Sequence, residues 1–457
     1  MRLTNAGAGA GKTSRLAVEI QERYEHRLNC EKHIFVVAYS NYAASVITKH
    51  LELIYGRIPH EIHLSTIHSF FWNDVIEPYY YLIFGNQFFS ISNQALGEST
   101  KYRASKLREL RDSGILHVAE FSRITKQVLV GGSGSKKVEK IMRAKILSRL
   151  DSFIDSIFVD EAQDMDKNTA ECFTAIDEAG INCYFVGDVN QDLHSRKGFA
   201  MLLESFPENV HEVDENHRCP LRHIEISNQY SVHNQKPDKS NAGVLEYALE
   251  PEVVVQDILN RYPGSMNFIN KSIRGFQVHN KDKSGFGQLE YTLRKYHRST
   301  AGFEDINLTV SKKWAFDKAQ EVIHSLNVLN LEPNTITNQL MSSLSLGYNK
   351  RAYAELINGV QSVKDPAGKF SRTKYSVKSI ESVKGSESEN CVFVMSTDLF
   401  AYLLKEKKDQ NAMMNSLYVG LTRATDRLVL LFTNEVVKKY NVSIIRSLMV
   451  DLEVDPI

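Results

Sequence analysis

The stretch Ala6-Gly7-Ala8-Gly9-Ala10-Gly11-Lys12-Thr13 has the composition and spacing of a phosphate-binding loop. Gly7, Gly9 and Gly11 let the backbone turn tightly, so that successive N–H groups, those of Ala8, Gly9, Ala10, Gly11 and Ser14 among them, face a bound phosphate. Lys12 has the reach for the β- and γ-phosphates, and the Thr13 hydroxyl is suited to Mg²⁺. The following SRLAVEIQERY reads as a helix whose N-terminus points at the anion. A loop of this kind needs an acid on a neighbouring strand. Phe158-Val159-Asp160-Glu161 supplies two: Asp160 to hold the metal, and Glu161 to orient and deprotonate a water. Gln191 follows the next strand, where a neutral amide can report the γ-phosphate. Arg218 and Arg423, both beyond the segment that carries the P-loop and its acids, have the chemistry of arginine fingers, which stabilise charge building on a transferred phosphoryl group.

These side chains must be carried on strand ends. HIFVVAYS (33–40) is an almost wholly apolar run, as in a strand buried on both faces, and NYAASVITKHLELIYG continues as a helix. EIHLSTIHSFF (61–71), DSIFVDEAQD (155–164) and INCYFVGDVNQD (181–192) read as further strands with polar C-terminal ends. This is the doubly wound α/β pattern. Residues 72–150 break it with aromatic-rich, charged and glycine-rich segments that read as a mostly helical insertion. After Pro207, VHEVDENHRC, GVLEYAL, INLTVS, CVFVMS and DRLVLLF read as strands of a second α/β domain. The expectation is one domain over 1–207 with an insertion at about 72–150. A second covers 208–457 with a reduced helical insertion at about 325–375. Lys271, Arg274, Lys281, Lys283, Arg294, Lys295 and Arg298 make residues 271–300 a basic stretch, and KDPAGKFSRTK (364–374) reads as a polar loop.

The 457 residues carry 55 basic and 55 acidic side chains, so a nucleic-acid partner would depend on a local basic groove. The five cysteines are scattered without a CxxC pair, which argues against zinc ribbons and disulfide frameworks. No apolar run approaches a membrane span and the N-terminus does not read as a signal peptide, so the expectation is a cytoplasmic protein.

DEAQD (160–164), VGDVNQDLHSRKGF (186–199), ENHRCP (215–220), SIESVKGSESENCVFV (379–394) and LYVGLTRATDRLVL (417–430) stand in the order of the motifs of superfamily 1A helicases of the UvrD/Rep/PcrA type. Together with the P-loop, AYSNYAA (38–44) and STIHSF (65–70), they make the chain resemble that family along nearly its whole length. The resemblance implies two RecA-like domains clasping ATP and Mg²⁺, with single-stranded DNA crossing them. It implies that Lys12, Thr13, Asp160, Glu161, Gln191, Arg218, Glu387 and Arg423 serve ATP, with Glu387 at the ribose. Tyr39, Asn41, Thr66, His68 and Arg196 fall at its DNA-facing positions. Tyr39 is suited to stacking or to core packing, and His68 to DNA or to capping a turn.

The chain departs from the family at several of these places. The adenine-reading glutamine segment that usually precedes the P-loop has no counterpart in it. His217 stands where a base-stacking Tyr is usual, His194-Ser195 where Tyr-Trp is usual, and Glu381 where His is usual. The ATPase set is nearly complete while the DNA-gripping set is eroded. In compactness, and in FVDEAQDMDK and KGSESENCVFV, the chain is similar to the helicase subunit of the Gabija anti-phage defence system. That similarity implies a hetero-oligomer with an OLD-family nuclease, sensing DNA ends or single strands. An autonomous 3′–5′ DNA helicase of repair and a nucleotide-binding scaffold with little turnover are the alternatives.

Overall fold

The computed structural model describes residues 1–457 except 28, 30, 94–95, 97–99, 239–240, 280–284, 301–307, 328, 348 and 365–374. Lys281, Lys283 and nearly all of the 364–374 loop therefore lie outside the described residues. The chain divides into two compact units, one of residues 1–252 with 385–457, the other of residues 253–384.

In the first unit, strands β1 (Arg2–Ala6), β2 (His33–Ala38) and β3 (Ile62–Thr66) join Ile154–Val159, Asn182–Gly187 and Val210–Val213 in a sheet. Its order is β3, β2, Ile154–Val159, Asn182–Gly187, β1, Val210–Val213, and every pairing is parallel. Parallel pairing makes each connection cross over the sheet, which brings all the strand C-termini to one edge. That edge carries the P-loop after β1, Asp160 after Ile154–Val159 and Asp188 after Asn182–Gly187. Helices α1 (Lys12–His26) and α2 (Asn41–Tyr55) bury Leu16, Ile20, Ile47 and Leu51 against Ile34, Val36 and Phe158. Phe35, Val37, Ile157 and Val159, at alternating positions of the same strands, point to a second core with Phe70, Phe71, Phe121 and Phe173.

Residues 72–150 are mostly helical, with Glu77–Phe84, Thr100–Asp112, Phe121–Leu129 and most of Lys137–Phe153. The run at 61–71 is shorter as a strand than expected. Thr66 ends β3 and caps a helical turn, its hydroxyl accepting from Ser69 N at 3.2 Å, and a π-helical turn follows at Phe71–Ile76. The unit also holds Val244–Leu249, Ser388–Met395, Ala424–Phe432 and Asp455–Pro456. They pair in parallel, with Ala424–Phe432 and Val244–Leu249 innermost.

In the second unit, Met266–Ile269 and Phe276–His279 flank Tyr375–Ser379, again in parallel. Four helices, Gly285–Thr300, Leu308–Asn327, Pro333–Ser343 and Lys350–Lys364, share a core of Leu289, Leu293, Ala319, Val322, Leu340 and Leu356. INLTVS, expected as a strand, is helical from Leu308 onward. Buried Ala315, Ala319, Val322 and Leu326 recur at helical spacing, and that longer periodicity outweighs the local β-preference of Thr309 and Val310. The chain as a whole has two RecA-like α/β domains of parallel strands flanked by helices. Among the described residues, no helix is long and apolar enough to cross a membrane.

Candidate nucleotide site

The P-loop takes its shape from glycines where it needs them. Gly9 and Gly11 have φ of 74° and 69°, the left-handed region, and Gly11 is the N-cap of α1 without any side-chain cap. Beneath it, Lys12 Nζ donates to the carbonyls of Ala6 and Gly7 at 3.1 and 3.0 Å. Burial lowers the Lys12 pKa, opposed by the charges of Asp188, Glu161 and Asp160. Ser14 lies exposed in the first turn of α1.

Thr13 and Asp160 meet across the loop, with Thr13 Oγ1 3.3 Å from Asp160 Oδ2. Asp160 is 1% exposed. Burial, and next the charge of Glu161, push it up to about 7. A hydroxyl beside a buried carboxylate with raised pKa is an all-oxygen donor pair that fits Mg²⁺, which takes its other ligands from phosphate and water. Glu161 sits at φ 56°, a left-handed position that a non-glycine residue holds only where its surroundings enforce it. Its backbone N–H donates to Asp160 Oδ1 at 2.9 Å, and its carboxylate accepts from Gln163 Nε2. The other end of Gln163, Oε1, accepts from Asp188 N at 3.1 Å.

Asp188 is the hub of the next layer. Its Oδ2 accepts from Gln191 Nε2 at 2.8 Å and lies 3.3 Å from the Tyr418 hydroxyl. That hydroxyl accepts from Ala8 N at 3.1 Å. On the next peptide, Ala8 O accepts from Asn216 Nδ2 at 2.5 Å and Gln235 Nε2 at 3.1 Å. Asn216 Oδ1 in turn accepts from Arg218 N and Cys219 N at 2.9 and 2.8 Å, and Gly9 O accepts from His217 N at 3.0 Å.

Arg218 donates from Nε to Glu387 Oε2 at 2.6 Å. Arg423 is fully buried, donating to Val419 O and Ser386 O at 3.0 and 3.3 Å. Burial, and then the like charge of Arg218, bring it down to about 10. The structure thus gathers Lys12, Thr13, Asp160, Glu161, Gln191, Arg218, Glu387 and Arg423 into one compact unit. His217 is at its exposed margin, with Nδ1 2.7 Å from Asp238 Oδ2. Asn216, Gln163, Gln235 and Tyr418 were not singled out from the sequence. Asn216, Tyr418 and Gln163 lie inside motifs that the sequence marks, whereas nothing around Gln235 does.

The residues read as DNA-facing lie along the edge where β2 and β3 end. Tyr39 packs against the core with its phenol oxygen buried, and burial raises its pKa well above the ordinary value. Asn41 is exposed at the start of α2, and Thr66 is occupied as a cap. His68 lies edge-on to Phe121 with ring centroids 5.5 Å apart. Arg196 is exposed and its charge bears on both Tyr39 and His68, so these three are brought together. Ser195 and Lys197 have φ of 52° and 60° in a turn pinned by Asp192, which accepts from the backbone N–H groups of His194, Arg196 and Lys197. In the basic stretch, Lys295 pairs with Glu355 at 2.5 Å.

Residues 1–196 match the family described as AAA domain. The chain is 23% identical to the Gabija protein GajB of Bacillus cereus (strain VD045) over 509 residues, covering 99% of this chain and 96% of that protein. Among solved structures it is similar to the Arterivirus nonstructural protein 10 (helicase) in complex with DNA. That likeness has 9% identity and a TM-score of 0.35, over 94% of this chain and 60% of that one. In its ordered motifs the chain resembles the UvrD-like helicases, residues 1–196 match an AAA domain, and the similarity to GajB runs along its whole length.

Proposed function

We propose that the chain is an ATP-hydrolysing, superfamily 1A helicase-type enzyme that acts as the DNA-sensing, regulatory ATPase of an anti-phage defence complex with a nuclease partner. The observation that carries the ATPase reading is the single hydrogen-bonded network from Glu161 through Gln163, Asp188 and Tyr418 to the P-loop. The similarity to a Gabija protein supports the defence setting.

In this reading Lys12 leaves the loop carbonyls for the β- and γ-phosphates, and the loop amides follow the anion. Thr13 and Asp160 would hold Mg²⁺, which neutralises phosphate charge when bound. Glu161, held in place by Gln163, takes the proton of the attacking water. Arg218, released from Glu387, meets the charge that develops on the γ-phosphoryl group, and Glu387 is then free for the ribose. Arg423 adds positive potential from within the protein. Residues 1–207 and 208–457 are read as the two RecA-like domains, with insertions at about 72–150 and 325–375. Tyr39, Asn41, Thr66, His68 and Arg196 are read as the DNA-facing edge.

Purified alone, the chain should hydrolyse ATP yet unwind a 3′-tailed duplex poorly. Mixed with an OLD-type nuclease, it should alter DNA cleavage in an ATP-dependent way. Efficient unwinding by the chain alone, with no effect on such a nuclease, would favour an autonomous helicase instead.

A further inference from the structure

Ala8 is gripped at both its backbone N–H and its carbonyl, on successive peptide groups, by side chains far away in sequence. Its N–H meets the Tyr418 hydroxyl, and its carbonyl meets Asn216 Nδ2 and Gln235 Nε2. The grip is closed on itself. Asn216 Nδ2 also donates to Gln235 Oε1 at 2.9 Å, and the Tyr418 oxygen lies 3.2 Å from that same Oε1. All three side chains are buried, at 0%, 3% and 0% exposure for Asn216, Gln235 and Tyr418.

The loop is cut to fit them. A Cβ on Gly7 would collide with the Gln235 amide, and one on Gly9 would lie 2.5 Å from Arg218 Cβ and 2.7 Å from Asn216 Oδ1. The clamp also reaches the reacting groups from both sides. Asn216 Oδ1 fixes the backbone of Arg218, and Tyr418 shares Asp188 with Gln191.

We infer that Tyr418, Asn216 and Gln235 are positioning residues for ATP hydrolysis. They hold the crest of the P-loop in register with Arg218 and Gln191, so that the loop, the finger and the γ-phosphate sensor act as one body. This rests on the ATPase reading above. A buried amide has few other partners, so the clamp defines one loop position rather than a range. Catalysis is sensitive to such placement at the scale of an ångström, whereas ground-state phosphate binding tolerates more. Loss of the clamp should therefore show in turnover before it shows in affinity.

The test uses the full chain and two near-isosteric variants, Tyr418→Phe and Gln235→Met. Phosphate release gives kcat, a fluorescent ATP analogue gives Kd, and circular dichroism at the assay temperature gives the folded fraction. Both variants should stay folded, bind the analogue within about threefold of the parent, and lose kcat by roughly tenfold or more. Parental kcat in both variants would overturn the inference and leave the ATPase reading standing. So would a loss of kcat that only follows lost affinity or lost folded protein. A parent that releases no phosphate would overturn the ATPase reading, and the inference with it.

Discussion

Arg218 and Arg423 were read from the sequence as equivalent fingers, yet their surroundings differ. Arg218 is tied to a carboxylate it can leave, while Arg423 is fully buried on the carbonyls of Val419 and Ser386. Arg218→Ala should lower kcat by roughly a thousandfold with little change in melting temperature. Arg423→Ala should lower kcat similarly and also destabilise the fold by about 1–3 kcal/mol, because buried carbonyls lose their donor. Steady-state kinetics beside thermal melts would separate the two. The double variant should be little worse than either single one, since both act on one transition state. The P-loop, Asp160, Glu161 and Arg218 were legible because each belongs to a short motif with its own chemistry. Gln235 was not, because its value comes from meeting Ala8 across 227 positions of sequence, which only the fold brings about.

The elements were legible wherever one periodicity ruled. β2, Ile154–Val159 and Asn182–Gly187 announce themselves as apolar runs ending in polar residues, which marks a parallel sheet, while the strand order comes from the fold alone. INLTVS misled because its β-branched residues are local while the buried face of Leu308–Asn327 is set over several turns. The π-helical turn Phe71–Ile76 had no signal in the sequence, and it holds an ionisable group of interest. Burial pushes Asp74 up to about 6. With its folded pKa above its ordinary value, the proton on Asp74 stabilises the fold at low pH, and that contribution is lost as pH rises from about 4 through 6. Asp74→Asn should therefore melt higher than the parent at pH 8 and level with it near pH 4. A constant difference across that range would show that Asp74 does not carry the shift. In the P-loop, Gly9→Ala should abolish turnover, because the added Cβ meets Arg218 and Asn216 at a left-handed backbone position. A Gly9→Ala enzyme with parental kcat would mean that the loop moves away from these partners in the working state.

For the whole molecule, 55 basic residues against 55 acidic ones leave no overall field to draw in DNA. Single-stranded DNA binding should accordingly be weak, sequence-independent and steeply salt-dependent. Ser195 stands exposed on the Asp192-pinned turn, where an aromatic side chain would give a base a stacking surface. Ser195→Trp should tighten binding by about 1–3 kcal/mol, a gain that survives added salt better than the parent's binding does. Tight, salt-insensitive binding by the parent would show that its DNA grip is intact. The division of labour proposed for the chain, a full hydrolytic site beside a reduced DNA surface, begins with hydrolysis itself. Its most direct test is phosphate release from ATP by the purified chain, by Glu161→Gln and by Lys12→Ala, alongside binding of a fluorescent ATP analogue. The parent should turn over, Glu161→Gln should bind as the parent does without releasing phosphate, and Lys12→Ala should do neither well. Phosphate release by Glu161→Gln at the parental rate would contradict the account.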